Sequence, residues 1–338
     1  MHGRRVSSTS KPLFFRSRSY RYIALAANAA FLALLSYWLS TNVDVSNLQK
    51  HLQQIPASAI IVGMMMNAAV LMCFGARLAA ILDARISACF LITVTGMTFN
   101  GLLPFRLGEG AKLYCGGAFF QLPIGGLGAA IVMEKLYDLS ILLLLLAALS
   151  TSKHLPFINV GSPQILALAA AAGLGALLIY RTRVAGLEHL SRRAILEKFG
   201  LGRILEQARV LLARQKLILP ASLTLLIWSA NLSLVLFFFR VVVPEIHFGV
   251  LDAMTLLVIA SLAIAIPASP AGLGVLEAGI AVYLTNVHGI QTEKAITAAA
   301  AYHLVILLPH SVITAAFLAW RFPLSKWTQP SLTRISGE

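Results

Sequence analysis

Arg106, Glu109 and Lys112 are spaced by three. If a helix restarts after Pro104, the three side chains share one face. That grouping suits an anionic oxygen group. Arg106 offers a planar fork that grips a phosphate through two hydrogen bonds. A fresh helix end adds unpaired amides and the positive end of a dipole. Gly108 and Gly110 let a ligand reach the backbone, and Asn100 opens the stretch with a further amide. The competing reading is a local Arg106–Glu109 ion pair that fixes the loop.

Glu134 and Asp138 are four apart and fall on one helical face, with Lys135 beside them. An unpaired charge at mid-membrane costs about 2.5–3.5 kcal/mol or more. Three arrangements meet that cost. Arg106 or Lys112 neutralises the carboxylates, or the two share a proton and form a coupling site, or all three charges sit solvated at the cytoplasmic interface. A second group lies far along the chain, in Pro267-Ala268-Ser269-Pro270-Ala271-Gly272-Leu273-Gly274 followed by Glu277. Glu277 is expected to be buried, with a cationic partner that the sequence does not identify. His303 and His310 are seven apart and share a face of the last apolar run. They are either hydrogen-bonded packing residues or members of a proton relay.

The elements that must hold these groups are membrane helices. Of 338 residues, 58% are hydrophobic and only 12% charged, against about 25% charged in a soluble domain. The mean hydropathy is +0.81. An all-α polytopic bundle of about eight apolar segments is expected: a basic cytoplasmic tail over 1–21, one transmembrane domain over 22–320, and a second cytoplasmic tail over 321–338. The first run, 22–39, ends in Tyr37-Trp38, which is no cleavage site for a signal peptide. Further runs cover 55–74, 86–103, 129–149, 164–180, 217–239, 251–266 and 295–320. A short apolar piece covers 275–285, and a glycine-rich apolar stretch covers 114–128. Residues 41–54 read as an outer loop. Arg77, Asp83 and Arg85 read as a cytoplasmic return.

The formal charge of +14 comes from 27 Lys and Arg against 13 Asp and Glu. The excess lies in flanks and loops, above all in 181–216. That is the pattern of cytoplasmic loops beside anionic lipid, not of a nucleic-acid face. Apolar residues recur at helical spacing through 181–216, so it either rests on the membrane surface or caps the bundle. Both chain ends are placed in the cytoplasm.

Two interruptions, residues 100–112 and 265–277, follow long apolar runs. Proline removes a backbone donor and clashes with a continuing helix. In lipid an interrupted backbone must be covered by protein or line a wet cavity. Parity sharpens the point. With Asp83 inside and His154 outside, and 129–149 as one crossing, residues 86–128 must cross an even number of times. Two broken or re-entrant helices, one per half, facing each other at mid-membrane and related as an inverted repeat, satisfy this; one extra full pair of spans is the alternative.

Cys73, Cys89 and Cys115 have neither metal spacing nor a disulfide framework, and no cofactor is expected. GxxxxGK[ST], HExxH and GxSxG are all missing. The run Gly125-Gly126-Leu127-Gly128 reads as close helix packing.

In three blocks taken in order, the chain resembles the lysylphosphatidylglycerol-synthase transmembrane-region family of flippase-like proteins. They are Asn100-x3-Pro104-x-Arg106-x-Gly108-Glu109, then Glu134-Lys135-x2-Asp138, then Pro267-x2-Pro270-x-Gly272-x-Gly274-x2-Glu277. The resemblance implies movement of a phospholipid, or of a polyprenyl or other glycolipid, between leaflets of a bacterial inner membrane. It also implies a binding role for Arg106, Glu109, Glu134, Asp138 and Glu277. Phe105 stands where the family commonly has a small residue, and His303 where relatives often have arginine. The lipid-aminoacylating members carry a cytosolic transferase domain that these 338 residues do not contain, so synthesis of lysyl-lipid is not expected of them. Substrate binding is thus expected at Asn100, Pro104, Arg106, Gly108, Glu109, Lys112, Glu134, Asp138, Pro270, Gly272, Gly274 and Glu277. Expected partners are a membrane lipid as substrate, anionic lipid at the basic face, and a second copy or an envelope-assembly protein. An integral enzyme or subunit of envelope glycolipid synthesis and a non-catalytic scaffold are the other readings.

Overall fold

The computed structural model describes residues 45–102, 107–150, 218–265 and 272–321. The expected first span, the run 164–180, the basic stretch 181–216 and the two tails, Arg321 excepted, lie outside the described residues. So do Pro104, Arg106, Pro267 and Pro270.

Every regular element among the described residues is an α-helix. In chain order they are α1 (Val45–Gln54), α2 (Ala57–Leu82), α3 (Ile86–Leu102), α4 (Gly108–Phe120), α5 (Ile124–Ser150), α6 (Ile218–Val242), α7 (Val250–Ala265), α8 (Val275–His288) and α9 (Thr292–Arg321). Of these, α2, α6 and α9 are long and apolar enough to cross a membrane. At 26, 25 and 30 residues, they run about 38–45 Å at 1.5 Å per residue. The hydrocarbon core is about 30 Å thick. The 27 residues of α5 also suffice for length, with Glu134, Lys135 and Asp138 set in the helix.

Two corrections concern boundaries. The expected outer loop contains α1, a ten-residue helix. The second span does not stop at Phe74; α2 continues to Leu82 and takes Arg77 with it. It ends where Asp83 adopts a left-handed φ of 51° and its N–H bonds the carbonyl of Ala79.

The interruptions make two antiparallel hairpins. In the first, a Cβ on Gly96 would strike the stem of Lys112, one on Gly116 would come within 3.4 Å of Ile92, and Asn100 meets Gly108. Residues rising along α3 thus face residues falling along α4. In the second, Gly279 packs on Ile259, Gly272 lies by Ile264, and Tyr283 meets Asp252. The arms hold 17, 13, 16 and 14 residues. Each is about 20–26 Å long, too short to cross.

The hairpins enter from opposite ends. Phe119 and Phe120, at the open end of the first, pack on Phe317, and Arg321 lies over Phe119. The second opens where α9 begins. There Lys294 pairs with Glu245 at 2.7 Å, and His288 pairs with Asp252. This is the inverted arrangement expected from parity.

The core divides the same way. One cluster joins α6, α7, α8 and α9 around Phe238, Phe239, Tyr283 and Tyr302. Another joins α2, α3, α4 and α5 around Leu78, Ile92, Leu127 and Met133. A small third cluster, Leu146, Leu149 and Val258, seats α5 on α7. The glycine-rich stretch serves packing: Leu127 fills the space that a side chain on Gly116 would take.

Candidate functional site

The start of α4 is built by close approach. Gly108 N–H donates to Asn100 Oδ1 at 2.8 Å, which caps one of the new helix's free amides. A Cβ on Gly108 would collide with the carbonyl of Gly96 and with Asn100. With no side chain at either glycine, Lys112 lies along α3 and is buried. Its ammonium donates to Glu134 Oε2 at 3.1 Å and stands 3.6 Å from Glu109 Oε2. The other oxygen of Glu109 pairs with Lys135 at 2.9 Å. Glu109 and Lys112 therefore share a face, and α5 answers both with its own charges. Arg106 lies outside the described residues, and with it the Arg106–Glu109 alternative.

The strongest cation in this cluster is Arg77, which sequence reasoning assigned to a cytoplasmic flank. It is 1% exposed. Its guanidinium donates to both oxygens of Asp138, at 2.6 and 3.0 Å, and to Thr224 of α6 at 3.2 Å. Glu134 Oε1 is 3.6 Å from Nη2. The ring of Phe74 covers one face of the guanidinium at 5.1 Å, and Trp228 donates to Asp138 at 3.3 Å. A signal existed: Arg77 is followed by Leu78-Ala79-Ala80-Ile81-Leu82, more than a further apolar turn, before the charge at Asp83.

Arg77, Lys112 and Lys135 thus face Glu109, Glu134 and Asp138, three cations and three carboxylates on α2, α4 and α5. Desolvating such charges is tolerable only because each finds a partner; removing one member strands another at about 3–5 kcal/mol. The lattice is graded. Lys135 is 52% exposed and Glu109 27%, whereas Glu134 and Arg77 are 2% and 1%. The solvated-interface alternative therefore fails for Glu134. Three buried polar atoms of the lattice have no hydrogen-bond partner: Arg77 Nε, Glu134 Oε1 and Glu109 Oε2.

The second hairpin uses its carboxylate differently. Gly272 and Gly274 have φ of 74° and 83°, a left-handed turn that glycine takes without strain. Glu277 reaches back to Gly274 N–H at 2.8 Å and caps α8. Its other oxygen pairs with His303 Nδ1 at 2.6 Å, which supplies the partner missing from the sequence. His310, two turns along α9, instead meets Thr98 of α3 at 3.1 Å. Thr98 also donates to the His310 carbonyl and bonds Thr314. Each hairpin is thus tied to α9 through a different histidine. Sequence reasoning also missed Asp252, which takes hydrogen bonds from Gly249 N–H, Tyr283 and His288 at 2.7, 2.6 and 3.0 Å. The clue was an acid in the first turn of an apolar helix, three residues after glycine.

Among the described residues no His, Cys, Asp or Glu cluster is arranged to hold a metal ion. A cavity of about 270 Å³ opens at the Lys294 end, between His51, Pro56, Val242, Pro244 and Thr297, away from the charge lattice.

Residues 23–313 match the family described as the lysylphosphatidylglycerol synthase TM region. The chain belongs to this family. The matched stretch takes in both hairpins, all six lattice charges and both α9 histidines. No curated protein matches the sequence. As a lysylphosphatidylglycerol synthase TM-region protein, the chain is an integral, multi-pass helical membrane protein.

Proposed function

We propose that this protein moves the phosphate-bearing headgroup of a membrane lipid, a phospholipid or a polyprenyl or other glycolipid, between leaflets of a bacterial inner membrane. Its role is transport, not catalysis. The observation that carries the reading is the charge lattice in which Arg77, Lys112 and Glu134 are buried beside the half-buried Asp138, where a hairpin turns back before crossing. Discontinuous helices with paired ionisable groups are a recurrent way to build a polar path across a bilayer. Two hairpins entering from opposite ends make such a path accessible in turn from each side. The family's name points to a lipid whose headgroup is a phosphodiester, which guanidinium and ammonium groups bind well. The basic flanks put the Arg321 end in the cytoplasm, with anionic lipid beside it. A second copy or an envelope-assembly protein is the partner class that fits such a role.

Reconstitution tests this. Proteoliposomes carrying tail-labelled phosphatidylglycerol should lose inner-leaflet protection against a membrane-impermeant reductant faster than protein-free liposomes do. Equal protection with and without protein, at every imposed ion gradient, would sink the reading.

A further inference from the structure

Glu134 stands between two buried cations, with Lys112 at 3.1 Å and Arg77 at 3.6 Å. Its hold on Arg77 is loose, at the same distance as Lys112 from Glu109 and longer than the lattice's other ion pairs. Asp138 takes the guanidinium with both oxygens and also accepts from Trp228. Glu109 is partly exposed and held by Lys135. Glu134 Oε1 and Arg77 Nε have no hydrogen-bond partner, though their side chains are 2% and 1% exposed. Leaving such groups unmet is costly. An anion with more oxygens, held at the same two cations, would answer Arg77 better than the carboxylate does.

Charge balance sets the terms. Three cations already meet three carboxylates, so a phosphodiester cannot enter as an added negative charge without large cost in low dielectric. One proton on one carboxylate restores neutrality. We propose that Glu134 is an internal stand-in for the lipid phosphate: the phosphodiester monoanion displaces it from Arg77 and Lys112, and Glu134 takes up one proton as it lets go. This rests on the transport reading and deepens it. The groups facing Glu134 are Arg77 from α2, the Cys89 thiol from α3, Lys112 and Glu109 from α4, and Asp138 and Lys135 from α5 itself; Thr224 and Trp228 of α6 act through Arg77 and Asp138.

In the exchange an O–H bond forms at Glu134 with a proton from the aqueous phase, and the phosphate stays intact. When lipid leaves, Glu134 returns that proton to water and recovers both cations. A lipid bound from one side and released to the other therefore travels with one proton.

The experiment has a binding arm and a transport arm, both on the full chain. In detergent, the Kd for dihexanoyl phosphatidylglycerol should rise with pH, by up to about tenfold per pH unit, because binding takes up a proton. Glu134→Gln, which is neutral at every pH, should bind more tightly at the alkaline end and show a flat profile. In proteoliposomes of the unaltered protein, a pH gradient should drive labelled phosphatidylglycerol towards the leaflet on the alkaline side. Lipid movement that ignores both pH and gradient overturns the proton exchange and leaves the transport reading standing. No lipid movement under any condition overturns both. Measurements on the unaltered protein decide both questions even if the glutamine variant misfolds. Glycerophosphoglycerol, the headgroup without tails, fixes the source of the phosphate. Affinity at least about tenfold weaker than the lipid's supports a lipid, and equal affinity overturns it in favour of a free phosphate ester.

Discussion

Asn67 on α2 donates its Nδ2 to the carbonyl of Val305 on α9 at 3.2 Å, and to that of Ile306 at 3.0 Å. Pro309 lies inside α9, four residues beyond Val305. A proline has no N–H to give the carbonyl four residues earlier, so α2 supplies the donor that α9 lacks. Gly63, one turn earlier on α2, packs against the Val305 side chain, which lets the two helices come close enough. Asn67→Leu should cost about 0.6–2 kcal/mol, the range for a hydrogen bond inside a membrane protein. Pro309→Ala returns the missing N–H, so the same asparagine change should cost less in that background. A double-mutant cycle on detergent melting temperatures measures the difference; strict additivity would mean that Asn67 does not serve the Pro309 gap.

Arg77 holds the lattice together. Arg77→Ala leaves Asp138 without its cation and Glu134 with Lys112 alone, and should destabilise the fold by about 3–5 kcal/mol. Arg77→Lys should recover only part of that, because an ammonium cannot reproduce the two-pronged grip on Asp138. Thermal unfolding followed by size exclusion measures both. A loss below about 0.5 kcal/mol for the alanine variant, the size of an ordinary surface change, would contradict the burial and pairing described above.

How far these features were legible depends on the distance over which each is encoded. Glu109 with Lys112, and Glu134 with Asp138, declare themselves by spacing, because three and four residues make one helical face. Both interruptions were legible too, since proline, glycine and charge together cannot continue an apolar span. The hairpins follow from parity, an argument about the whole chain. Arg77 was missed because its meaning lies 61 residues away, at Asp138; locally it resembles an ordinary basic flank. The partner of Glu277 is likewise 26 residues distant, at His303. His303 and His310 share a face of α9, yet they serve different hairpins, a division that only the fold reveals.

Gly108 and Gly110 lie two apart in one helix and should answer very differently to alanine. A Cβ at 108 meets the backbone carbonyl of Gly96, which cannot rotate away, whereas a Cβ at 110 meets nothing within 4 Å. Gly108→Ala should cost at least about 1–3 kcal/mol through overpacking and should free Asn100 from its cap. Gly110→Ala should be neutral, or stabilising by up to about 1 kcal/mol, since alanine is the better helix former. Equal melting temperatures for the two variants would show that the arms of the first hairpin are not packed at this point.

Glu277 divides its oxygens between the start of α8 and His303. His303→Ala leaves one oxygen without its partner and should cost about 1–3 kcal/mol. Glu277→Ala loses the cap as well and should cost more, with the difference near the value of a helix cap, about 0.5–2 kcal/mol. Melting temperatures of the two variants give the comparison, and the reverse order would remove the cap from the account.

The opposed entry of the hairpins makes a topological prediction that does not depend on the substrate. Cys73, Cys89 and Cys115 are free, and two of them are buried, so a cysteine-free background is obtainable by conservative replacement. Single cysteines are then placed at Gln121 and Asp83, at the open end of the first hairpin, and at Glu245 and Gln291, at the open end of the second. In intact cells an impermeant maleimide should label 245 and 291 strongly. Positions 83 and 121 should react only after the membrane is opened, because basic flanks favour the cytoplasmic side of a membrane. Labelling of 121 together with 245 from outside, with 83 protected, would mean that the chain crosses the bilayer an odd number of times between 83 and 121 and would overturn the first hairpin. Labelling of 83 and 121 alone would keep the fold and invert its orientation.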